Sequence, residues 1–216
     1  MNLVIHDISM TLENGMLCYP KDVPYHRRRQ RDMDKEDSSN VSQFESSAHI
    51  GTHVDSPLHY YNEGYGTEAI PLDHLFGPAQ VVSCPGVGAV TAEVLKDRIP
   101  PGTQRLLLKT DNSQSLAKEP HAPFNKDFVY LDGTGAELLV ERNIKLIGID
   151  YLSIDKSGLA AKPAHHTLLS NQITILEGIL LVDVDAGEYF LSCGCLKMAD
   201  SDGAPCRAVL IENPPL

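Results

Sequence analysis

The sequence predicts a single α/β domain over residues 1–216 that contains more strand than helix. The runs RLLLKT (105–110) and KLIGID (145–150) are continuous and apolar, as in strands that are covered on both faces. A helical pattern, TGAELLVERN (134–143), lies between them, so residues 105–150 indicate a βαβ-like unit. A chain of 216 residues suffices for one well-buried domain, and a second full domain would be cramped.

The remaining elements follow from alternating apolar residues, helix caps and proline breaks. Residues 2–9 predict a first strand, 11–40 a long polar excursion without regular structure of its own, 43–55 a strand and 57–62 a short helix. Further strands are predicted at AQVVSC (79–84), ITILEG (173–178), ILLVDVD (179–185), EYFLSCGCLKM (188–198) and CRAVLIE (206–212). Further helices are predicted at TAEVLKDRI (91–99), capped by Thr91, and at KPAHHTLLSN (162–171), where Pro163 stands near the start.

Charge and composition narrow the classes of partner. The formal net charge of −11 and the pI near 5.2 argue against nucleic acids and anionic membranes, because phosphate binding requires a basic surface. The basic cluster HRRRQR (26–31) is followed at once by DMDKED, which favours a solvated loop of mixed charge. No apolar run approaches the roughly 20 residues of a membrane span, and residues 1–10 lack the pattern of a signal peptide. Five cysteines without a C-x-x-C pair predict free thiols in a reducing cytoplasm.

The stretch AHIGTHVDSPLHYY (48–61) concentrates side chains that bind metals. His49, His53 and Asp55 have the same parity, so in an extended chain they would share one face. A glycine and two β-branched residues within the stretch disfavour a helix. The serine and proline after Asp55 are typical of a helix start, which would put His59 in the first helical turn, tilted back towards the strand. Two imidazoles and a carboxylate on one face, with a third imidazole beside them, predict a metal site.

A second group of such residues follows in AHHTLLSNQITILEG. Two leucines at 168 and 169 need a core face, and His165 lies three and four residues before them, on the same side of the predicted helix. Glu177 ends the apolar strand ITIL. Either residue alone fits an ordinary hydrogen-bonded histidine or a solvated glutamate. Together, on adjacent short elements, they indicate ligands that meet the first group, with His166 as the alternative to His165 if the helical register differs by one.

The first stretch resembles the H-x-G-T-H-x-D-x-P-x-H signature of the putative cyclase family of metal-dependent hydrolases, to which bacterial kynurenine formamidase and isatin hydrolase belong. The resemblance covers nearly the whole chain. The family's further segments follow in order as YPKDVPY, GPAQVV, LLLKT, IKLIGIDYLSID, the His-x₁₁-Glu pair of His165 and Glu177, and LKMADSDGAPCRAVL. This resemblance implies a single strand-rich β/α/β domain in an assembly that is usually oligomeric.

The resemblance also implies roles for individual residues. Two divalent ions are expected, Zn²⁺ or Mn²⁺, because imidazole and carboxylate ligands suit both. The implied ligands are His49, His53, Asp55, His165 and Glu177. Asp55 would bridge the two ions, and His59 corresponds to the family's proton-transfer residue.

The expected activity is hydrolysis of a small amide by metal-bound hydroxide, as in an arylformamidase or kynurenine formamidase. Tyr19 stands where kynurenine formamidase has a tryptophan against its aromatic substrate, and Lys21 replaces a glycine. The alternative is therefore a ring-opening hydrolase of a cyclic amide, imide or lactone. The third hypothesis is a metal-binding protein without catalysis. The presence of His59, which is not needed as a metal ligand, argues against it. The expected partners are a small amide or cyclic amide and further copies of the chain, in a dimer or tetramer, rather than nucleic acid or membrane.

Overall fold

A computed structural model describes residues 3–118 and 121–212, in which the chain forms thirteen strands and five α-helices. The strands are β1 (Val4–Asp7), β2 (His26–Arg31), β3 (Val41–Glu45), β4 (His53–Asp55), β5 (Phe76–Ser83), β6 (Ala89–Val90), β7 (Arg105–Lys109), β8 (Tyr130–Leu131), β9 (Leu146–Ile149), β10 (Thr174–Glu177), β11 (Gly187–Ser192), β12 (Gly203–Pro205) and β13 (Val209–Glu212). The helices are α1 (Leu72–Leu75), α2 (Ala92–Leu95), α3 (Asn112–Lys118), α4 (Gly133–Glu141) and α5 (Pro163–Ser170). Asn2, the first residue of the predicted strand 2–9, lies outside the described residues.

Nine of these strands form one mixed sheet in the order β1-β13-β11-β5-β7-β9-β10-β4-β12. Strands β5, β7, β9 and β10 are parallel neighbours, and the other pairs of this sheet are antiparallel. Strands β7 and β9 pair in parallel with α4 between them in the chain, which confirms the predicted βαβ unit. The strand-rich α/β class is confirmed as well.

Strands β7, β9 and β10 are buried on both faces, as their continuous apolar sequence predicts, whereas β5 has exposed residues at Phe76 and Pro78. On β7, Leu106 and Leu108 belong to one core layer together with Leu139 of α4 and Leu168 of α5. Leu107 points to the opposite layer, because successive side chains of a strand alternate between faces. The sheet therefore separates two apolar layers, and α4 and α5 cover one of them.

The prediction of an irregular segment over 11–40 is wrong, because β2 lies inside it and pairs with β3. All six residues of β2 are exposed, and polar contacts such as that of Arg28 Nη2 with Gln43 Oε1 at 3.0 Å join the two strands. The arginine-rich β2 has no apolar alternation, so the usual sequence signal for a strand is missing.

Other boundaries also differ from the prediction. The strand predicted over 43–55 is two strands, because the chain leaves β3 after Glu45 and passes through Gly51 with φ +60° before β4 begins. The helix predicted over 57–62 is a single 3₁₀ turn, Pro57–His59. ILLVDVD (179–185) is not a strand, and its one bridge to the described part of the chain is at Ile179. The five cysteines are free thiols, as predicted.

None of the helices in residues 3–118 and 121–212 is long and apolar enough to cross a membrane.

A close backbone contact holds the segment before β4 against the end of β10. The hydroxyl of Thr52 donates to the carbonyl oxygen of Gly178 at 2.6 Å and accepts from the backbone N–H of Met10 at 2.8 Å. Gly178 has φ +70°, and a Cβ at this position would overlap the carbonyl oxygen of Gly51. Only glycine therefore fits where these two segments meet.

We predict that Gly178→Ala lowers the free energy of unfolding by about 3 kcal/mol or more, since it combines left-handed strain with a backbone overlap. Gly86→Ala is the matched control, because Gly86 also has φ +70° but no atom of the described residues lies within 4 Å of an added Cβ. Its cost should be about 1 kcal/mol, the strain alone. Urea unfolding of both variants measures the difference, and equal losses would contradict the role of the contact.

Candidate metal centre

Strands β4 and β10 bring three ligand-type side chains to one face of the sheet. Glu177 is paired directly with His53 across the antiparallel ladder, and Asp55 lies two residues further along β4, on the same face. His53 Nε2 lies 3.4 Å from Glu177 Oε2 and 3.5 Å from Asp55 Oδ1. His53 and Asp55 are 0% exposed and Glu177 is 3% exposed, so the three groups meet away from solvent.

Helix α5 adds His165 from the facing layer. Asp155 accepts hydrogen bonds from the backbone N–H groups of Ala164 and His165, and from His165 Nδ1 at 2.6 Å. This contact orients the ring, so that His165 Nε2 lies 3.6 Å from Asp55 Oδ2 and 3.4 Å from Glu177 Oε1. A carboxylate that holds the far nitrogen of a ligand histidine is a common feature of metal sites.

His166, the alternative in the sequence, does not join this cluster. Its side chain is exposed, and its Nδ1 lies 3.2 Å from the hydroxyl of Tyr61. His165 is 3% exposed and faces the two carboxylates. The core face of α5 therefore carries the histidine that lies at the centre.

The donor atoms of the cluster fit a divalent cation. His53 Nδ1 lies 3.0 Å from the carbonyl oxygen of Gly51, which can only accept, so this nitrogen carries the proton and Nε2 of the neutral ring has a lone pair. Within the described residues, His53 Nε2 and Asp55 Oδ2 are buried without a hydrogen-bond partner. Such groups are costly to bury unpaired. Here His53 Nε2 lies beside the carboxylates of Glu177 and Asp55, and Asp55 Oδ2 lies beside His165 Nε2, within one imidazole–carboxylate set. That donor set suits Zn²⁺ or Mn²⁺.

His49 and His59 form the more exposed side of the centre and share a carboxylate. His49 Nδ1 lies 2.8 Å from Asp55 Oδ1 and its Nε2 lies 2.9 Å from Asp202 Oδ2. His59 Nδ1 donates to the same Asp202 oxygen at 3.2 Å. One donor atom each from His49, Asp55 and His59 lie within 4.8 Å of one another, so this side also offers a cation three ligand atoms.

The charges at the centre shift its pKa values strongly. Burial alone would lower the pKa of His49, but Asp55 and Asp202 outweigh it and raise the pKa to about 10. Burial alone would raise the pKa of Asp55, but His49 and His59 hold it well below its ordinary value. Burial lowers the pKa of His59, against the attraction of the Asp55 carboxylate. Burial and Asp55 would raise the pKa of Glu177, but His165 and His53 outweigh them and lower it, so both buried carboxylates are ionised and attract positive charge to the site.

A glycine on the neighbouring strand makes room for the His49 ring. Gly203 of β12 pairs with Asp55 of β4, and a Cβ on Gly203 would lie 2.6 Å from His49 Cε1. The edge strand can therefore approach β4 closely while the imidazole lies above it. The same approach brings Asp202, the residue before β12, within reach of both His49 and His59.

Two acidic residues of this site were not singled out from the sequence. Asp202 is 143 residues from His59 and stands in a polar segment with a second aspartate, so no local spacing marks it. Asp155 lies 10 residues before His165 and caps α5 from a distance rather than from the position next to the helix. Both act through contacts between segments that only the fold brings together.

A cavity of about 180 Å³ opens beside the centre. It is smaller than the roughly 300–1,000 Å³ of sites that hold drug-sized ligands, so a small molecule fits it best. Its lining residues are Tyr19, Asp22, His49, His59, Tyr60, Leu152, Ser153, Lys162, His165 and Glu177. The structure thus places Tyr19, the substrate-binding residue predicted from the sequence, in the wall of this cavity.

Comparisons with known proteins show the family and the fold of the chain. Residues 6–156 match the model of the family described as "Putative cyclase". A structure described as a potential metal-dependent hydrolase with cyclase activity is 29% identical, with a TM-score of 0.85 over 99% of this chain and 100% of that one.

Two further structures have the same fold. A protein from Bacillus stearothermophilus, described as a predicted metal-dependent hydrolase, is 29% identical, with a TM-score of 0.83 over 98% of this chain and 99% of that one. Isatin hydrolase A from Labrenzia aggregata, bound to benzyl benzoate, is 22% identical, with a TM-score of 0.80 over 98% of this chain and 94% of that one.

We predict that His165→Ala lowers the affinity for divalent metal by more than about 100-fold, because it removes an oriented ligand from the buried side of the centre. His166→Ala is the matched control and should keep the metal content of the unmodified protein. Each variant is loaded with Zn²⁺ or Mn²⁺ and dialysed, and elemental analysis then measures its metal content. Loss of metal in His166→Ala with retention in His165→Ala would contradict the assignment.

Proposed function

The chain belongs to the putative cyclase family, and we propose that it is a metal-dependent hydrolase that cleaves a carbon–nitrogen bond of a small amide. One observation carries this proposal. His53 Nε2 and Asp55 Oδ2, which have no hydrogen-bond partner in the part of the chain that the structure describes, converge with His165 and Glu177 next to a cavity that His59 also lines. A cation-binding cluster and a titratable imidazole therefore meet at one small cavity.

Divalent ions bound to the imidazole and carboxylate groups would polarise the substrate carbonyl and lower the pKa of a water molecule from about 15.7 to about 7. His49, His53 and Asp55 would hold one ion, and Asp55, His165 and Glu177 the other. The side chain of Asp55 suits a bridge, because its Oδ1 faces His49 and His53 while its Oδ2 faces His165.

His59 would move the proton that amide cleavage requires. Its Nδ1 donates to Asp202, since a carboxylate can only accept, and its Nε2 is then the nitrogen that takes and returns a proton. A leaving amide nitrogen needs a proton when the carbon–nitrogen bond breaks. Burial lowers the pKa of His59 below the ordinary imidazole value, so the ring is neutral at pH 7 and can take up a proton and return it to the nitrogen.

Aryl formamides are the first substrate class that we propose, and small cyclic amides, imides or lactones are the second. The lining and the volume of the cavity favour the second class, the cyclic compounds. Its aromatic wall is formed by Tyr19 and Tyr60, and its volume of about 180 Å³ suits a compact ring. Isatin hydrolases with this fold act on such a ring, as their names state. Four features stay predictions: two bound ions, their identity as Zn²⁺ or Mn²⁺, a homo-oligomeric assembly and a cytoplasmic location.

A panel of substrates tests the proposal. Metal-loaded protein should hydrolyse formanilide, isatin or a small lactone, and the same protein stripped with a chelator should lose that activity and regain it on reloading. The preferred substrate distinguishes the two classes. Full metal content without turnover of any substrate would contradict the proposal and favour a non-catalytic metal-binding protein.

We predict that His59→Ala keeps near-normal metal content and lowers the rate of amide hydrolysis by about 10²–10⁴-fold, the usual contribution of a positioned acid or base. The loss should fall mainly on kcat, because the proton is needed in the transition state. An activated aryl ester, whose leaving group needs no proton, should lose much less.

The comparison of amide with ester separates the proton-transfer role from the alternatives. His59 also lies in a group with His49 and Asp55 whose donor atoms can hold a cation. If His59 is a ligand, its loss removes metal. Equal losses for amide and ester, or loss of metal together with activity, would show that His59 is a ligating or structural residue.

A further inference from the structure

Lys162 lies at the mouth of the candidate site, although nothing in the sequence marks it as functional. It precedes Pro163, the first residue of α5, and therefore stands three residues before His165. Its side chain is half-buried and lines the same cavity as His59, His165 and Glu177. A molecule that fills a cavity of about 180 Å³ and reaches the imidazoles therefore also contacts Lys162.

The ammonium group of Lys162 has few partners. Its Nζ lies 3.5 Å from the hydroxyl of Tyr19 and 3.5 Å from the carbonyl oxygen of Lys156, both at the outer limit of a hydrogen bond. It also lies 5.8 Å from the centre of the Tyr19 ring. Across residues 3–118 and 121–212, no carboxylate lies within 4.0 Å of it, and Asp22, which lines the same cavity, does not pair with it.

The backbone of Lys162 is also unusual. It adopts the left-handed conformation, with φ 44° and ψ 53°, immediately before a proline. Glycine would suit this position better, because a Cβ is unfavourable there and the following proline restricts the residue further. Residues with a strained backbone of this kind cluster at active sites and ligand-binding sites, where the surrounding structure holds them in place. Here the conformation keeps a lysine at the cavity.

We propose that Lys162 recognises an anionic substituent of the substrate, so that the substrate class is a small aromatic amide or cyclic amide that carries a carboxylate. The proposal rests on the hydrolase function proposed above. The ammonium would bind the carboxylate while the Tyr19 ring, which it contacts, packs against the aromatic ring. The reacting amide would then lie towards His59 and the ligand cluster.

A matched pair of substrates tests this directly. N-formyl-2-aminobenzoate and N-formyl-2-aminobenzamide have nearly the same shape, and only the first carries a negative charge. In the metal-loaded protein, Lys162→Met should lower kcat/KM for the carboxylate by about 10- to 100-fold, mainly through KM, and for the carboxamide by less than about threefold. Lys162→Arg should retain most of the preference, because it keeps the charge.

Lys156→Met is the control for the loss of a lysine near an aromatic ring. Lys156 Nζ lies 5.8 Å from the centre of the Tyr130 ring, as Lys162 does from Tyr19, but Lys156 does not line the cavity. This variant should keep the preference for the carboxylate. If Lys162 only supported the fold or the Tyr19 ring, Lys162→Met would instead lower the activity towards both substrates equally, which would overturn the proposal.

Binding of 2-aminobenzoate and 2-aminobenzamide, measured by calorimetry, distinguishes failure of this proposal from failure of the hydrolase function. If no amide is hydrolysed but Lys162→Met still removes the preference for 2-aminobenzoate, the hydrolase function fails and the role of Lys162 stands. If substrates are hydrolysed and the preference is unchanged in Lys162→Met, the hydrolase function stands and the role of Lys162 is wrong. The preference should also shrink as salt rises, because screening weakens it.

Discussion

The carboxylate of Asp55 is fully buried and ionised, and one of its oxygens has no hydrogen-bond partner among residues 3–118 and 121–212. An isolated charge in a protein interior is too costly to persist, so it requires positive charge or a cation close by. Three imidazoles surround it: His49 from the segment before β4, His53 from β4 and His165 from α5. The second buried carboxylate, Glu177, adds negative charge and so increases the need for positive charge or a cation. The arrangement of the surrounding segments follows from this need.

The sheet supplies the rigid support for that cluster. Strands β7, β9 and β10 are covered on both faces by leucine and isoleucine, so the end of β10 places Glu177 with little freedom. The segment before β4 is held to that end by Thr52 and by the contact of Gly178 with Gly51. On the other side of β4, Gly203 lets the edge strand approach without displacing His49. Small residues are thus required wherever the segments of the site cross.

Local patterns in the sequence predicted much of the fold and most of the centre. Apolar runs in strands that are buried on both faces identified β7, β9 and β10, because burial there leaves a continuous signal. The spacing of His165 from the core leucines of its helix selected the histidine that lies beside Asp55 and Glu177 in the structure. The hairpin of β2 and β3 was missed, because exposed arginines carry no periodic apolar signal. The grouping of His49 with Asp55 was predicted from an unbroken strand, whereas a turn at Gly51 brings His49 to Asp55.

The sequence by itself determined the chemical types that the site contains and the elements that carry them, because ligand spacing and apolar periodicity are local properties of the chain. Only the tertiary structure decided which distant groups complete the site. Asp155 orients His165, Asp202 joins His49 to His59, and Lys162 faces the cavity. These contacts depend on the order of strands in the sheet and on how closely β12 and α5 approach β4. Contacts of that kind leave no mark in local spacing, since each partner alone looks like an ordinary surface residue.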